Sequence, residues 1–310
     1  FGAKGRTAMS IWVCGEVLID LIPGADGVRV PHVGGGPANT AKALARLGLD
    51  SYFIDGISTD EYGVAARKEL LDDEVKLDLA LKSDKPTCLA TVTLDASGGA
   101  SYDFLIDGTA TFDFSLDWLP DPSRYKPNVL HIGTLVTVIE PGADVLYDWA
   151  IRVAEFAPIV YDPNIRPSVM GDRDKYQASV EKWAAISSVI KVSDDDMAWL
   201  YPGVEYADVA QRWVSDGAAL VVVTRGSQGL IGFTAKGVVE VPGVKIEVAD
   251  TVGAGDTVGA IIVEAMVEKG ILNLTGEVLK STLHRAAVAA GITCSRKGAQ
   301  PPYKHELKGV

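Results

Sequence analysis

Strand-length apolar runs that alternate with helical segments restrict the folds open to this chain. The strand candidates are Ile11–Leu18, Ser51–Ile57, Val129–Ile132, Pro158–Tyr161, Val189–Val192 and Leu220–Thr224. Among the segments between them, Pro37–Leu47 and Tyr62–Leu71 have the apolar spacing of helices. Because continuous apolar strands in this order are buried on both faces, they predict a mainly parallel sheet between two layers of helices. Ligands of such an α/β sheet bind beyond the carboxyl ends of its strands.

Two stretches interrupt this alternation. Residues 25–33 are short and alternate in polarity, and residues 87–106 have the pattern of a β-hairpin with a turn at Ser97–Gly99. They flank a glycine-rich turn from both sides, so we expect a small β-sheet lid; an antiparallel edge of the main sheet is the alternative. The predicted main α/β domain comprises residues 9–24, 34–86 and 107–310.

The charge balance excludes several classes of partner. The 310 residues are 47% hydrophobic and carry a formal net charge of −12, whereas nucleic-acid and anionic-membrane partners require a basic surface. No apolar run is long enough to span a membrane. Cys14, Cys88 and Cys294 are too few and too scattered for a disulfide framework or a zinc site, so we expect a cytoplasmic protein. Residues 1–8 precede Met9 without an apolar signal-peptide core and are expected to be a cloning remnant.

The segment Asp250–Asp256, with the sequence DTVGAGD, precedes an apolar, small-residue run from Thr257 to Val267. It places two glycines and a carboxylate at the start of a predicted buried helix, where unpaired N–H groups and the helix dipole suit an anion. Beside such an anion site, Asp256 can take a proton from a hydroxyl that attacks a phosphate. Aspartate is also a preferred N-cap residue, so capping is the alternative role.

A second glycine-rich segment, Gly34–Ala41, opens the helix after the first strand. Its glycines let a ligand approach the backbone, and Asn39 offers both a donor and an acceptor to sugar hydroxyls. Asp20 lies just past the first apolar run, where a carboxylate can clamp a pair of hydroxyls. The spacing differs from the dinucleotide-binding pattern Gly-x-Gly-x-x-Gly. A tight strand-to-helix turn, with Asp20 as a turn or cap residue, is the alternative.

Polar segments follow three further strands. In Asp162–Arg166, with the sequence DPNIR, Arg166 provides a fork of donors for phosphate oxygens or hydroxyls; an Asx-Pro turn is the alternative. Ser193–Asp196 ends in three acids, which can hold a Mg²⁺–phosphate complex through water or simply begin an acidic helix. Thr224–Gly229 places glycines where a nucleotide can lie, although a hairpin turn uses the same residues. Their shared position at strand ends favours one common site.

With these segments the chain resembles the ribokinase/PfkB family of carbohydrate and nucleoside kinases, from about Ser10 to its end. The two anchors are Gly35–Asn39 and Asp250–Asp256, of which the second is highly specific. Asp162–Arg166 and the closing Arg296–Pro301 also look like this family, particularly its bacterial fructokinases. The resemblance implies a ribokinase-like three-layer α/β/α fold with a small β-sheet lid.

The resemblance also implies roles for individual residues. The catalytic residues would be Asp256 as the base, Gly253, Ala254 and Gly255 as an anion hole, and Arg166. The sugar would be held by Asp20, Gly35, Asn39 and Asp256, and by the lid residues Tyr102 and Phe104 unless these form lid core or a subunit contact. ATP would contact Ser193, Thr224, Gly226, Gly229, Gly253, Gly255, Ala289 and Ala290. Asp196 would hold Mg²⁺ through water, and Asp250, Val252, Thr293 and Gly298 would hold K⁺.

The implied activity is that of an ATP-dependent sugar kinase acting on a primary hydroxyl, converting D-fructose to fructose 6-phosphate. 2-Keto-3-deoxygluconate kinase and ribokinase are the alternatives within the family. The family's Asn-x-x-Glu element appears here as Ser193–Asp196, so a catalytically impaired, sugar-binding regulatory protein is the alternative from another class. An exposed small sheet has an edge that needs covering, which predicts a homodimer through the lid.

Overall fold

The computed structural model describes residues 9–24, 26–94 and 100–310, without the side chains at positions 92, 94 and 100–102. The predicted remnant 1–8 and the predicted turn at Ser97–Gly99 lie outside the described residues. The strands are β1 (Ser10–Cys14), β2 (Leu18–Pro23), β3 (Arg29–Gly34), β4 (Asp50–Ile54), β5 (Gly56–Ser58), β6 (Leu81–Ser83), β7 (Leu89–Leu94), β8 (Ala100–Leu105), β9 (Val129–Gly133), β10 (Ile159–Asp162), β11 (Val189–Ser193), β12 (Leu220–Thr224), β13 (Leu230–Thr234) and β14 (Gly237–Val241). The α-helices are α1 (Gly36–Arg46), α2 (Glu61–Asp72), α3 (Pro122–Tyr125), α4 (Gly142–Ala154), α5 (Arg173–Ala184), α6 (Asp194–Leu200), α7 (Tyr206–Ser215), α8 (Ala254–Lys269) and α9 (Gly276–Cys294).

The main sheet has eight strands in the order β14-β13-β12-β11-β10-β9-β1-β4. Strands β12 to β4 in this order are parallel to one another, whereas β13 and β14 add an antiparallel hairpin at one edge. The strands alternate their side chains between two cores: Ile11 and Val13 face one core, and Trp12 and Cys14 face the other. Helices α1, α2, α8 and α9 cover the first core, and α4 to α7 cover the second. The predicted three-layer fold with a mainly parallel sheet is confirmed.

A separate small sheet, with the strand order β3-β2-β7-β8, stands beside the main one. The predicted hairpin corresponds to β7 and β8, which pair antiparallel, so the alternative of an edge on the main sheet is wrong. The small sheet also contains residues 18–23 as β2, which we had assigned to the main domain. The chain leaves the main sheet after Cys14 at Gly15, where only glycine fits, because its φ is 150° and a Cβ would lie 2.3 Å from Cγ of Pro37. The division into main domain and lid stays a prediction.

The chain passes between the two sheets four times, and a buried carboxyl joins two of these passages. Asp55, fully buried between β4 and β5, accepts hydrogen bonds from the backbone N–H groups of Val17 (2.9 Å) and Gly56 (2.8 Å). The hydroxyl of Thr111 lies 3.2 Å from the same carboxyl and 3.1 Å from the carbonyl oxygen of Val17. Val17 leads into β2 and Thr111 follows β8, so Asp55 ties the entry of the small sheet to its exit.

Replacing Asp55 with alanine should lower the free energy of unfolding by about 2–3 kcal/mol, because buried donors at Val17 and Gly56 lose their acceptor. Urea unfolding followed by circular dichroism measures this change. Asp78→Ala, at an exposed position, is the matched control and should leave the unfolding midpoint within experimental error. Equal midpoints for the two variants would show that Asp55 contributes nothing to the junction.

Within the described ranges, no helix is both long and apolar enough to cross a lipid bilayer.

Candidate active site

A cleft of about 1250 Å³ opens at the carboxyl edge of the main sheet, between the small sheet and the start of α8. Most of the residues predicted for sugar and phosphate binding line it. The lining includes Glu16, Asp20, Gly35, Asn39, Phe104, Asn164, Arg166, Lys191, Asp250, Val252, Gly253, Gly255, Asp256 and Gly298. Segments from opposite ends of the sequence therefore meet in one site, as the strand-end argument predicts.

Asp256 lies in the first turn of α8 but does not cap it. The N-cap is Gly253, in the left-handed region at φ 79°, which glycine adopts without strain. The Asp256 carboxylate instead accepts a hydrogen bond of 2.9 Å from Asn39 Nδ2 on α1. A Cβ at Gly36 would lie 3.1 Å from Asp256 Oδ1, so the absence of a side chain there lets α1 approach the carboxylate. The capping role considered for Asp256 is therefore wrong.

The electrostatic environment of Asp256 suits a base near neutral pH. Its pKa is raised to about 6, chiefly by burial and also by nearby Asp162, whereas Lys191, the bond from Asn39 and Arg166 oppose the rise. A carboxylate with a pKa of about 6 is mostly ionised at pH 7 and still accepts a proton more readily than an ordinary aspartate.

The start of α8 offers an anion site next to this carboxylate. The helix has sixteen residues, and Gly253, Gly255 and Asp256 at its start line the cleft, where the positive end of the helix dipole lies. A Cβ at Gly255 would lie 2.8 Å from Lys191 Nζ, so a buried ammonium group stands directly beside this helix start. Together they supply the positive field that a transferring phosphate needs.

Lys191 is a site residue that the sequence analysis passed over. It lies on β11 next to Asp162 on β10, and the two side chains form a buried ion pair with a bond of 2.8 Å. Burial alone would lower the pKa of Lys191, but Asp162 and Asp256 hold it above its ordinary value. The sequence feature that could have revealed Lys191 is a lysine inside an otherwise apolar strand, because a buried charge requires a partner of opposite charge.

The sugar-side residues come from both sheets. Asp20 lies on β2 opposite His32, not at the end of β1 as expected, and its carboxylate packs against Gly34, where a Cβ would lie 2.2 Å from Oδ2. Burial raises the pKa of Asp20 to about 6, while His32 and Arg166 oppose the rise.

The two lid aromatics lie on β8. Phe104 pairs with Ala90 and lines the cleft. Tyr102 stands opposite Val92, and its side chain is outside the described part of the chain.

Arg166 follows β10 and lines the cleft with Asn164. Its guanidinium donates to the carbonyl oxygens of Ile165 (3.0 Å) and Asn164 (3.3 Å), and its backbone N–H donates to the Tyr176 hydroxyl. Two of its five donors are therefore used to fix its direction, and the others remain for a ligand.

The acidic segment after β11 does not reach the cleft. Ser193 and Asp196 form a capping box at the start of α6, and Asp196 Oδ1 accepts a bond of 3.1 Å from the backbone N–H of Ile165. Both Asp196 oxygens thus accept backbone N–H groups, and the residue is absent from the cleft lining. In the part of the chain that is described, no cluster of three or more metal-binding side chains occurs.

Of the predicted nucleotide residues, Gly253 and Gly255 line the cleft, whereas Ser193, Thr224, Gly226, Gly229, Ala289 and Ala290 lie outside its lining. Thr224 pairs with Ser193 across β12 and β11. Gly226 and Gly229 have φ values of 51° and 99°, and a Cβ at Gly229 would lie 2.1 Å from the carbonyl oxygen of Val241. Ala289 and Ala290 lie on α9, fully buried and half-buried respectively.

The four residues predicted for K⁺ are only partly brought together. The carboxylate of Asp250 accepts bonds from the backbone N–H groups of Val252 (3.1 Å) and Gly298 (2.9 Å). Thr293 is fully buried, and its hydroxyl is engaged with Ala289 and Thr257.

Comparison with known proteins agrees with this geometry. A family model described as "pfkB family carbohydrate kinase" matches residues 9–306. A fructokinase of Rhizobium leguminosarum bv. trifolii is 35% identical over 261 residues, which cover 83% of this chain and 79% of the relative. Among solved structures, fructokinase from Xylella fastidiosa with bound ATP has a TM-score of 0.89 at 24% identity and covers 96% of both chains. Fructokinase from Vibrio cholerae O395, with fructose, ADP and calcium bound, has a TM-score of 0.86 at 24% identity and covers 97% of this chain and 98% of that one.

The family match spans almost the whole chain, and it includes both the glycine-rich start of α1 and the Asp250–Asp256 segment at the start of α8. This chain therefore belongs to the pfkB family of carbohydrate kinases.

Proposed function

We propose that this carbohydrate kinase transfers the γ-phosphate of ATP to a primary hydroxyl of D-fructose and forms fructose 6-phosphate. The observation that carries the proposal is the position of Asp256, a buried carboxylate held by Asn39 directly beside the anion site at the start of α8. The identity of 35% to a fructokinase supports fructose as the sugar.

In the proposed reaction, Asn39, Asp20 and the backbone at Gly35 hold the sugar so that its primary hydroxyl faces Asp256. The carboxylate accepts the hydroxyl proton as the oxygen attacks the phosphate. The N–H groups of residues 253–255, together with Lys191 and Arg166, stabilise the charge on the transferring group. Phosphoryl transfer depends mainly on such positioning and neutralisation, and Mg²⁺ would balance the charge of the ATP phosphates.

ATP fits the chemistry of the residues at this edge of the sheet. The glycines at 226, 229, 253 and 255 carry no side chain that would block a nucleotide, and Ser193 and Thr224 are neighbours on adjacent strands. We propose that Asp196 acts on Mg²⁺ only through water, since its oxygens already accept backbone bonds. A K⁺ site beside the anion hole is supported by the hydrogen bonds that join Asp250 to Val252 and Gly298, with Thr293 as the fourth residue.

The small sheet is proposed to act as a lid and as a dimer contact. Strand β3 is an edge strand whose residues are largely exposed. Val30 stands opposite Ile22 at its outer end, with exposed fractions of 44% and 37%. A second copy of the small sheet would cover these side chains and the open edge. An ATP-dependent activity also agrees with the expected cytoplasmic location.

Release of ADP, measured separately with fructose, ribose, 2-keto-3-deoxygluconate, adenosine and no acceptor, tests the proposed function. We expect the highest kcat/KM with fructose and negligible release without an acceptor, because Asp256 requires a bound hydroxyl. A higher kcat/KM with ribose or 2-keto-3-deoxygluconate would identify that sugar, instead of fructose, as the substrate. Calorimetric binding of a sugar without turnover of any would favour the regulatory protein.

A further inference from the structure

Glu16 is a buried carboxyl group in the cleft to which the mechanism above gives no role. It follows the end of β1 and precedes β2, at the passage from the main sheet to the small sheet. Its exposed fraction is 3%, and it lines the same cleft as Asp20, Asn164 and Asp256. A carboxyl group is rarely buried to this degree without a polar partner or a function.

Thr134 is the side chain that holds Glu16. Its hydroxyl donates to Glu16 Oε2, and among the described residues no other side chain donates to this carboxyl. Thr134 has a φ of 62°, a left-handed conformation that is strained for a β-branched residue. Thr134 directly precedes Leu135, which lines the cleft, and in this conformation its hydroxyl reaches Glu16.

Arg166 lines the same cleft as Glu16, and its positive charge acts on that carboxyl group. Burial raises the pKa of Glu16 to about 7, and the guanidinium of Arg166 opposes that rise. The two groups nevertheless form no ion pair, because the Arg166 guanidinium bonds only to backbone carbonyl oxygens among the described residues. A buried acceptor and a half-buried set of donors therefore line the same cleft without satisfying each other.

A sugar hydroxyl can satisfy both groups at once, because it donates one hydrogen bond and accepts another. We propose that Glu16 is a specificity-determining residue that accepts a hydrogen bond from a non-reacting hydroxyl of the sugar, which in turn accepts one from Arg166. This inference rests on the proposed function, since it places a polyhydroxylated substrate beside Asp256. It adds a second carboxylate to the sugar site, on the main-sheet side of the cleft, whereas Asp20 lies on the small sheet.

Glu16→Gln tests the proposal, because the amide keeps the shape and an acceptor for Thr134 but loses the charge. We expect the KM for fructose to rise about tenfold or more, the usual range for a hydrogen bond to a charged group, while the KM for ATP stays unchanged. Fructose analogues that each lack one non-reacting hydroxyl supply the second readout. The wild type should have a high KM for one of these analogues, the one that lacks the hydroxyl bonded to Glu16. Glu16→Gln should raise the KM for that analogue little further, because the hydrogen bond is already missing.

Glu264→Gln is the matched control. Glu264 is equally buried, on α8, and pairs with Arg285 outside the cleft. We expect it to lower the melting temperature without changing the KM for fructose or the pattern among the analogues. If Glu16→Gln fails to fold, the same analogues can be compared on the wild type and on Arg166→Lys. The hydroxyl that bonds Glu16 also accepts a bond from Arg166, so Arg166→Lys should lose discrimination against the analogue that lacks this hydroxyl.

Two outcomes separate this inference from the proposed function. In the first, the wild type phosphorylates fructose, and Glu16→Gln has the wild-type KM for fructose and the wild-type loss of activity with every analogue. Glu16 is then structural and only the inference fails. If the wild type phosphorylates no sugar of the panel and calorimetry detects no sugar binding, both fail. A fall in melting temperature with unchanged sugar kinetics would assign Glu16 solely to the support of Thr134.

Discussion

Asp256→Asn is expected to lower kcat by roughly 10²–10⁴-fold, the usual contribution of a positioned general base. The change preserves the size of the side chain and an oxygen for the bond from Asn39, so the sugar site keeps its shape. It removes the charge that accepts the hydroxyl proton beside the anion site. We therefore expect the KM values for sugar and ATP to change much less than kcat.

The pH dependence of the wild type provides an independent check of this role. Asp256 must be ionised to accept a proton, and its pKa is raised to about 6, so kcat at saturating sugar should fall about tenfold per pH unit below pH 6. This acidic limb should be absent from the residual activity of Asp256→Asn. Asp144→Asn, which alters an exposed ion pair with Lys182, is the control and should keep both kcat and the limb. A near-normal kcat for Asp256→Asn would remove Asp256 from the reaction.

Lys191→Met should lower the free energy of unfolding by about 3–5 kcal/mol, the range observed when one partner of a buried ion pair is removed. Asp162 is 1% exposed, and its second oxygen, Oδ1, has no hydrogen-bond partner in the described residues. Without Lys191 the Asp162 carboxylate would be buried with no compensating charge. Urea unfolding at pH 7 measures the loss.

Two comparison variants locate the origin of this effect. Lys182→Met removes a lysine whose side chain is 41% exposed from a surface pair, and it should cost less than about 1 kcal/mol. Adding Asp162→Asn to Lys191→Met should recover a large part of the lost stability, because the uncompensated charge is gone. Since Lys191 also stands beside Gly255, the double variant should regain stability without regaining kcat. Equal losses for Lys191→Met and Lys182→Met would contradict this account.

The fold was predictable because its signals are periodic. The apolar runs at 129–132, 189–192 and 220–224 fall within β9, β11 and β12, and alternation along each strand separates the two cores. The boundary after β1 was not predictable from hydrophobicity. The run Ile11–Leu18 stays apolar although the backbone turns at Gly15 into another sheet. Asp20 was therefore expected at the end of a main-sheet strand, whereas it lies on β2.

The candidate site also contains residues that were predictable from the sequence and residues that were not. Residues at strand ends and helix starts, such as Asn39, Arg166 and Asp256, could be placed at one edge of the sheet from the sequence. For Asp196 the sequence left two roles open, because a capping box and a metal ligand use the same residue type at the same spacing. Glu16 and Lys191 were missed since their roles depend on partners more than a hundred and about thirty residues away, respectively.

The four passages of the chain between the two sheets have a mechanical consequence. A flap on one strand can swing in many directions, whereas a body attached at four points has fewer directions of motion open to it. The bonds of Asp55 to Val17 and Thr111 fix two of these points relative to each other. We therefore expect the small sheet to move less freely than a flap on a single strand, and a closing motion would carry Asp20 and Phe104 together because both lie on it.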